Sequence, residues 1–316
     1  MNDSRSKPIT SKLSRRDFLG AAALVAASAW PAAQTESPPI LDFHQHTKYN
    51  GRPDQQLLAH QAYHHITKTV LLPGEGWMLS IVGDNETCAA LVKQYPERFL
   101  LFACSDVAES RTPYVLRRDI RQGALGIGEL KFRVAVDSPE MHRVYKLAEE
   151  LGVPVLIHFE HQTYNTGFEH FESILKSYPK VKFLGHAQTW WGNISADLDP
   201  RNLYPKGPVK RGGLTDRLLA DYPNLYGDLS ADSGLNALTR DAEFARDFVR
   251  RHSRKLVWGS DCDCHDGMGG GTRDQAGYCI AARSLPLLRQ LVPDEAAFRR
   301  IVYENGAALL GLKRSA

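Results

Sequence analysis

Long apolar stretches are scarce in this sequence, and their scarcity is the first constraint on its class. The longest, Phe18–Trp30, is shorter than the roughly 20 residues needed to span a bilayer, so stable membrane insertion is not expected. Cysteine is scarce too. The five cysteines, at positions 88, 104, 262, 264 and 279, are odd in number and unevenly spaced, which argues against a disulfide framework. Cys262 and Cys264 are too close to cross-link along a strand. Cys88 and Cys104 lie in apolar surroundings and read as small buried hydrophobes. An excess of one charge is also missing. Lysine and arginine total 39 against 36 acidic residues, and five of the basic residues fall within the first 29 positions. The remainder holds 34 of each sign, so it carries no electrostatic footprint for nucleic acid or an anionic membrane.

The apolar run has a context. Lys7, Lys12, Arg15 and Arg16 precede it and the small residues Ala27-Ser28-Ala29 close it, the pattern of a signal peptide. Ser14-Arg-Arg-Asp-Phe-Leu-Gly20 resembles the bacterial twin-arginine signal. That resemblance implies export of a folded protein, the twin-arginine machinery as a partner, and a periplasmic or otherwise exported destination. Residues 1–33 are therefore expected to be signal and cleavage region, and residues 34–316 one domain.

The body carries eight strand-then-helix units. Candidate strands are Ile40–His46, Thr69–Leu72, Phe99–Cys104, Ala124–Lys131, Val153–His158, Val181–His186, Asn224–Ser230 and Lys255–Asp261. Runs such as Val-Pro-Val-Leu-Ile are almost continuously apolar, as parallel strands buried on both faces should be. Ser138-Pro139 predicts a helix start, Leu151-Gly152 a helix stop, and Thr239 a cap for a helix running to Arg251. Tyr95, Tyr178 and Tyr222 each precede proline and should end helices. No Pro-, Gly- or Ser-rich boundary divides the body. The expectation is a single (β/α)8 TIM barrel. The connection Ala187–Gly212 and the run Gly267–Thr272 are candidate mouth loops.

Six residues of metal-binding or proton-transfer type stand at the ends of those strands. They are His44 and His46 in Asp42-Phe-His-Gln-His-Thr47, then Glu129, His158, His186 and Asp261. The carboxyl ends of barrel strands meet at one mouth, so residues more than two hundred positions apart can share one metal. His44 and His46, two apart on a strand, point the same way. Asp261 suits both metal ligation and proton acceptance, and a bound Zn²⁺ lowers the pKa of its water to about 7.

This pattern resembles the amidohydrolase superfamily and, within it, the amidohydrolase-related branch, over roughly residues 40 to 312. The closing segment Tyr303-Glu-Asn-Gly-Ala-Ala-Leu-Leu-Gly-Leu312 is similar to that family's last helix. The resemblance implies a divalent metal, commonly zinc, held by His44, His46, His158 and Asp261, with His186 polarising substrate or moving a proton. If Glu129 bridges two ions, His158 and His186 would bind the second, and His186 becomes a ligand. Lys131, on the same strand face as Glu129, is read as a structural or substrate-charge residue. Trp190 and Trp191 are candidate stacking partners for substrate. Asp263 and His265 depart from the family pattern. Cys264-His265-Asp266, being adjacent, form no triad. His64-His65 is expected at the surface of the first helix.

Three functions fit. The first is a metal-dependent hydrolase of a small ester, lactone or amide, in which Asp261 shuttles a proton. The second is a metal-dependent, non-oxidative decarboxylase of an unsaturated or aromatic acid. The third is a metal-containing binding protein without turnover. Barrels of this type often dimerise, so a homo-oligomer is a further expectation.

Overall fold

A computed structural model of the chain describes residues 38–270 and 278–312. The expected signal, with Arg15 and Arg16, lies outside the described residues, as does the end of the Gly267–Thr272 run.

All eight expected strands form: β1 (Leu41–Gln45), β2 (Lys68–Leu71), β3 (Phe99–Leu101), β4 (Ile127–Leu130), β5 (Val155–His158), β6 (Phe183–His186), β7 (Leu225–Asp228) and β8 (Leu256–Val257). They pair in parallel as β1-β2-β3 and β4-β5-β6-β7-β8. Two seams close the ring. Ala103 bridges to Ile127 between β3 and β4. Between β8 and β1, Phe43 N donates to Trp258 O at 3.1 Å and Asp261 N to His44 O at 2.8 Å. The helices are α1 (Asp54–Tyr63), α2 (Asn85–Gln94), α3 (Thr112–Arg121), α4 (Pro139–Leu151), α5 (Phe171–Ser177), α6 (Ala187–Gly192), α7 (Leu214–Asp221), α8 (Ala231–Thr239), α9 (Ala242–His252) and α10 (Ile280–Leu291), with further helical turns over 295–309. The fold is a (β/α)8 barrel. Among the described residues no helix is long and apolar enough to cross a membrane.

Local chemistry sets these boundaries. Ser138 Oγ accepts from Met141 N, Pro139 follows at the first helical position, and Gly152 ends α4 at φ 68°. Tyr95, Tyr178 and Tyr222 cap α2, α5 and α7 at their C-termini, each just before its proline. Thr239 does not cap α9. Its hydroxyl donates to Leu235 O within α8, and Asp241 caps α9 by accepting from Phe244 N. The last strand stops earlier than its apolar run suggests. Trp258 N turns to Ile301 O, and Asp261 leaves the β8 ladder to join β1, so the last strand is two residues long.

Candidate active site

The barrel's carboxyl ends gather the expected side chains. His158 and His186 face one another across the β5–β6 ladder. His44, His46, Glu129, His158 and His186 are all buried. His44 Nε2 lies 3.8 Å from Glu129 Oε2 and 3.7 Å from Asp261 Oδ2. His46 Nε2 lies 3.6 Å from Glu129 Oε2 and 3.5 Å from Asp261 Oδ1. His186 Nε2 lies 3.8 Å from Glu129 Oε1 and 3.6 Å from Asp261 Oδ2. These spacings are too long for strong hydrogen bonds and suit donors arranged about a cation. Two overlapping triads result, His44–His46–Asp261 and His44–Glu129–His186.

The donor atoms are prepared for ligation. His46 Nδ1 donates to the Leu72 carbonyl at 2.7 Å, which leaves the Nε2 lone pair facing the centre. His44 Nδ1 donates to Asp228 Oδ2 at 2.7 Å, with the same result. Among the described residues, His44 Nε2 and Asp261 Oδ1 are buried without a hydrogen-bond partner. Unpaired buried polar atoms are costly, and a divalent ion would satisfy both. The residues present therefore fit such an ion.

The chain matches the amidohydrolase family model over residues 42–312. The chain belongs to the amidohydrolase family. Among solved structures, it is similar to the probable 2-pyrone-4,6-dicarboxylic acid hydrolase of Acinetobacter baumannii, crystallised with citric acid. That match has 17% identity and a TM-score of 0.59, covering 86% of this chain and 99% of that one. A dihydroorotase of Campylobacter jejuni shares 17% identity at a TM-score of 0.57, covering 89% of this chain and 85% of that one. The 5-carboxyvanillate decarboxylase of Sphingomonas paucimobilis shares 11% at 0.55, covering 88% and 100%. At these identities the likenesses speak for the fold alone. No curated protein matches the chain.

As a family member, the protein is an enzyme of the amidohydrolase type. Its centre opens on a cavity of about 290 Å³, lined by Tyr49, Lys131, His158, His186, Asp261 and Asp263 among others. Lys131 Nζ sits 5.4 Å from the Trp77 ring and 5.5 Å from the Tyr164 ring, two rings that stack on one another. His158 is turned differently from the other histidines. Its Nδ1 meets Glu129 Oε1 at 2.5 Å and its Nε2 meets Glu160 Oε2 at 3.3 Å, so it stands outside both triads.

The tryptophans do not reach the mouth. Both Trp190 and Trp191 are buried and neither lines the cavity. The reason is that α6 begins immediately after β6 and turns their rings onto the barrel wall. Trp190 stacks on Phe159 at 6.2 Å and covers Gly185, where an added Cβ would meet its ring at 2.3 Å. Trp191 Nε1 donates to Asp228 O at 2.9 Å. The expected stacking on substrate is replaced by core packing. His64, expected at the surface, is half-buried with Nε2 3.5 Å from Cys279 Sγ, while His65 is exposed.

Several supporting residues escaped the sequence reading. Asp228 holds His44, accepts from Ser230 Oγ at 2.8 Å, and lies 3.3 Å from His186 Nδ1. It ends the apolar run of β7, the same signal that marked the other residues. Tyr49 faces Asp261 from a 3-10 turn, and no sequence feature marks it. Gln45, between the two histidines, points away from the centre. It donates to Ser260 Oγ at 3.0 Å and to Cys262 O at 2.7 Å. Arg52, buried, donates to Cys262 O, Gln45 Oε1 and His46 O at 2.6, 2.6 and 2.9 Å.

Electrostatics separate the three histidines. Burial pushes His46 down to about 4, and burial with the adjacent His44 also lowers His186, so both are neutral and able to ligate. Burial works against charge on His44 as well, yet the Asp261 and Asp228 carboxylates raise it well above its ordinary value. Burial likewise opposes charge on Glu129, but His158 and Lys131 hold its carboxyl well below the usual range. Cations are favoured here, which is the field a divalent ion requires.

Proposed function

We propose that this amidohydrolase hydrolyses a small ester, lactone or amide with a divalent metal, of the zinc class, and that Glu129 bridges two ions. The observation that carries the reading is the division of the Glu129 carboxylate. Its Oε2 faces His44 and His46, and its Oε1 faces His158 and His186. One ion would take His44, His46, Glu129 and Asp261; the other Glu129 and His186, with His158 joining it by exchanging its hydrogen bond to Glu129 for the ion. When bound, such ions supply Lewis acidity and water of pKa about 7.

The chain's own groups divide the remaining work. Asp261, one side-chain oxygen of which has no hydrogen-bond partner among the described residues, takes the proton of the attacking water and returns it to the leaving group. Tyr49, facing Asp261 and kept protonated first by burial, orients that carboxylate. Lys131 offers the cavity a cation for a substrate carboxylate. The test is elemental analysis of untagged mature protein together with a screen of lactones, esters and amides. Two active-site equivalents with hydrolytic turnover support the reading; a single equivalent that persists in Glu129→Gln overturns the bridge.

Non-oxidative decarboxylation is a second reading, favoured by the same Lys131 in the cavity of Asp261. Product analysis separates the two, since only decarboxylation releases CO2.

Arg15 and Arg16 before the apolar run support a further proposal, export through the twin-arginine route to the periplasm. Replacing both by lysine should retain the protein in the cytoplasm. Gel filtration with light scattering reads whether the mature chain forms the expected homo-oligomer.

A further inference from the structure

Away from the mouth, three cysteines and two histidines meet in a second cluster. His60 and His64 lie one turn apart at the end of α1, with ring centroids 4.7 Å apart. Cys279 caps α10, and its Sγ lies 3.6 Å from His60 Nε2 and 3.5 Å from His64 Nε2. Cys262 Sγ is 3.6 Å from the same sulfur, and Cys264 completes a thiol triad with both. All three thiols are buried.

We propose that His60, His64, Cys264 and Cys279 form a site for a thiophilic divalent cation of the zinc class, separate from the active site. Tetrahedral zinc has bonds of about 2.3 Å to sulfur and about 2.0 Å to nitrogen, which place such ligand atoms about 3.5 Å apart. The Cys279–His60 and Cys279–His64 separations already have that value. His60 carries a second argument. It is fully buried, and among the described residues its Nδ1 has no partner while its Nε2 meets only the Cys279 sulfur. Burial, then His64 and Arg52, push it down to about 3, so it is neutral, the form that ligates. The fourth ligand comes from the thiol triad, in which Cys264 Sγ lies within reach of Cys279 Sγ, while Cys262 is held beside Asp261 by the Arg52 and Gln45 grip on its carbonyl; Cys264 is therefore taken as that ligand. Binding releases the Cys264 and Cys279 thiol protons to solvent and leaves two thiolates on the cation.

The consequence is mechanical. The cation would tie together α1, the segment following Asp261 and the start of α10. Cys262, next to Asp261, is already held through its carbonyl by Arg52 and Gln45. The site would then be a staple beneath the segment that presents Asp261.

Cobalt tests this, because thiolate ligation to Co²⁺ gives a near-ultraviolet charge-transfer band that a centre of histidines and carboxylates cannot give. Untagged protein, reduced, stripped by chelator and loaded anaerobically with Co²⁺, should show the band, and Zn²⁺ should abolish it. It should persist in the His44→Ala/His46→Ala variant and disappear in Cys264→Ser/Cys279→Ser. His64→Ala, at a half-buried position, should weaken cobalt affinity at the thiolate site at least tenfold should the cysteine variant misfold. Wild-type protein that binds cobalt without the band overturns the site, as does a band surviving in the double cysteine variant. A Cys262–Cys279 disulfide in native protein, found by mass spectrometry, also overturns it. The band is independent of turnover, so failure of the hydrolytic reading leaves this result standing, and the reverse.

Discussion

Asp228→Asn isolates what the second layer of this centre contributes. In the native protein Asp228 Oδ2 accepts from His44 Nδ1 at 2.7 Å and from Ser230 Oγ at 2.8 Å, while Oδ1 accepts from Ser230 N at 3.1 Å. Asparagine keeps the shape and replaces one acceptor by a donor. If its amide nitrogen faces His44, the imidazole must carry its proton on Nε2, aimed at the metal position. If it faces Ser230 N instead, two donors oppose each other in a buried site. The first orientation removes the hydrogen bond that fixes the His44 lone pair; the second keeps that bond but loses the one from Ser230 N, which loosens the support of His44. Loss of a partner of this kind lowers metal affinity by about 10–100-fold, or about 1.4–2.8 kcal/mol at about 1.4 kcal/mol per tenfold. Competition titration against a chelator of known affinity measures it, with circular dichroism to confirm the fold. Turnover should fall at limiting metal and recover in part with excess. Affinity within twofold of wild type would refute the claim that Asp228 sets the tautomer of His44.

Four other outcomes follow from the same geometry. Asp261→Asn should keep the fold and lose about 10²–10⁴-fold in kcat, the usual weight of a general base; near-normal rates on a confirmed substrate would remove its proton role. His44→Ala/His46→Ala should lose active-site metal in elemental analysis, and unchanged content there would remove the site. Trp190→Ala should destabilise by about 3–5 kcal/mol in denaturant titration and leave KM unchanged, since the ring fills the core; a raised KM without a stability loss would restore the substrate role. Burial opposes the charge of Asp216, yet hydrogen bonds from His252 and Arg251 hold its pKa below the usual value. Its stabilisation is therefore present above the unfolded carboxylate pKa of about 4 and is lost as pH falls through the lower folded value. Asp216→Asn should flatten the acid limb of the stability–pH curve.

The residues that can be read from the sequence are those that obey the period of a strand. Each of the eight strands announces itself by an apolar run, and the polar residue closing that run is placed at the mouth by topology alone. His44, His46, Glu129, His158 and His186 were found that way, and Asp228 carried the same mark without being used. What stays hidden depends on turns. Trp190 and Trp191 look like loop aromatics until α6 is seen to begin at Ala187, which folds them beneath the strand glycines. His60, His64, Cys264 and Cys279 carry no local pattern that joins α1 to α10. They become neighbours only because the segment after the last strand returns across the first helix.

That return also explains why Asp261 can serve without standing on a strand. β8 ends at Val257, and the chain reaches Asp261 at φ 43°, a left-handed conformation that non-glycine residues adopt at a cost. Such a residue needs cross-links on both sides. On one side, its N–H bonds to His44 O and Ser260 N bonds to Asp42 Oδ1 at 2.7 Å. On the other, Arg52 and Gln45 grip Cys262 O, and Gln45 lies between the two histidines. One side chain of β1 thus fixes the segment after β8 while its neighbours face the metal position. In this protein the alternation of a single strand positions both the ligands and the base.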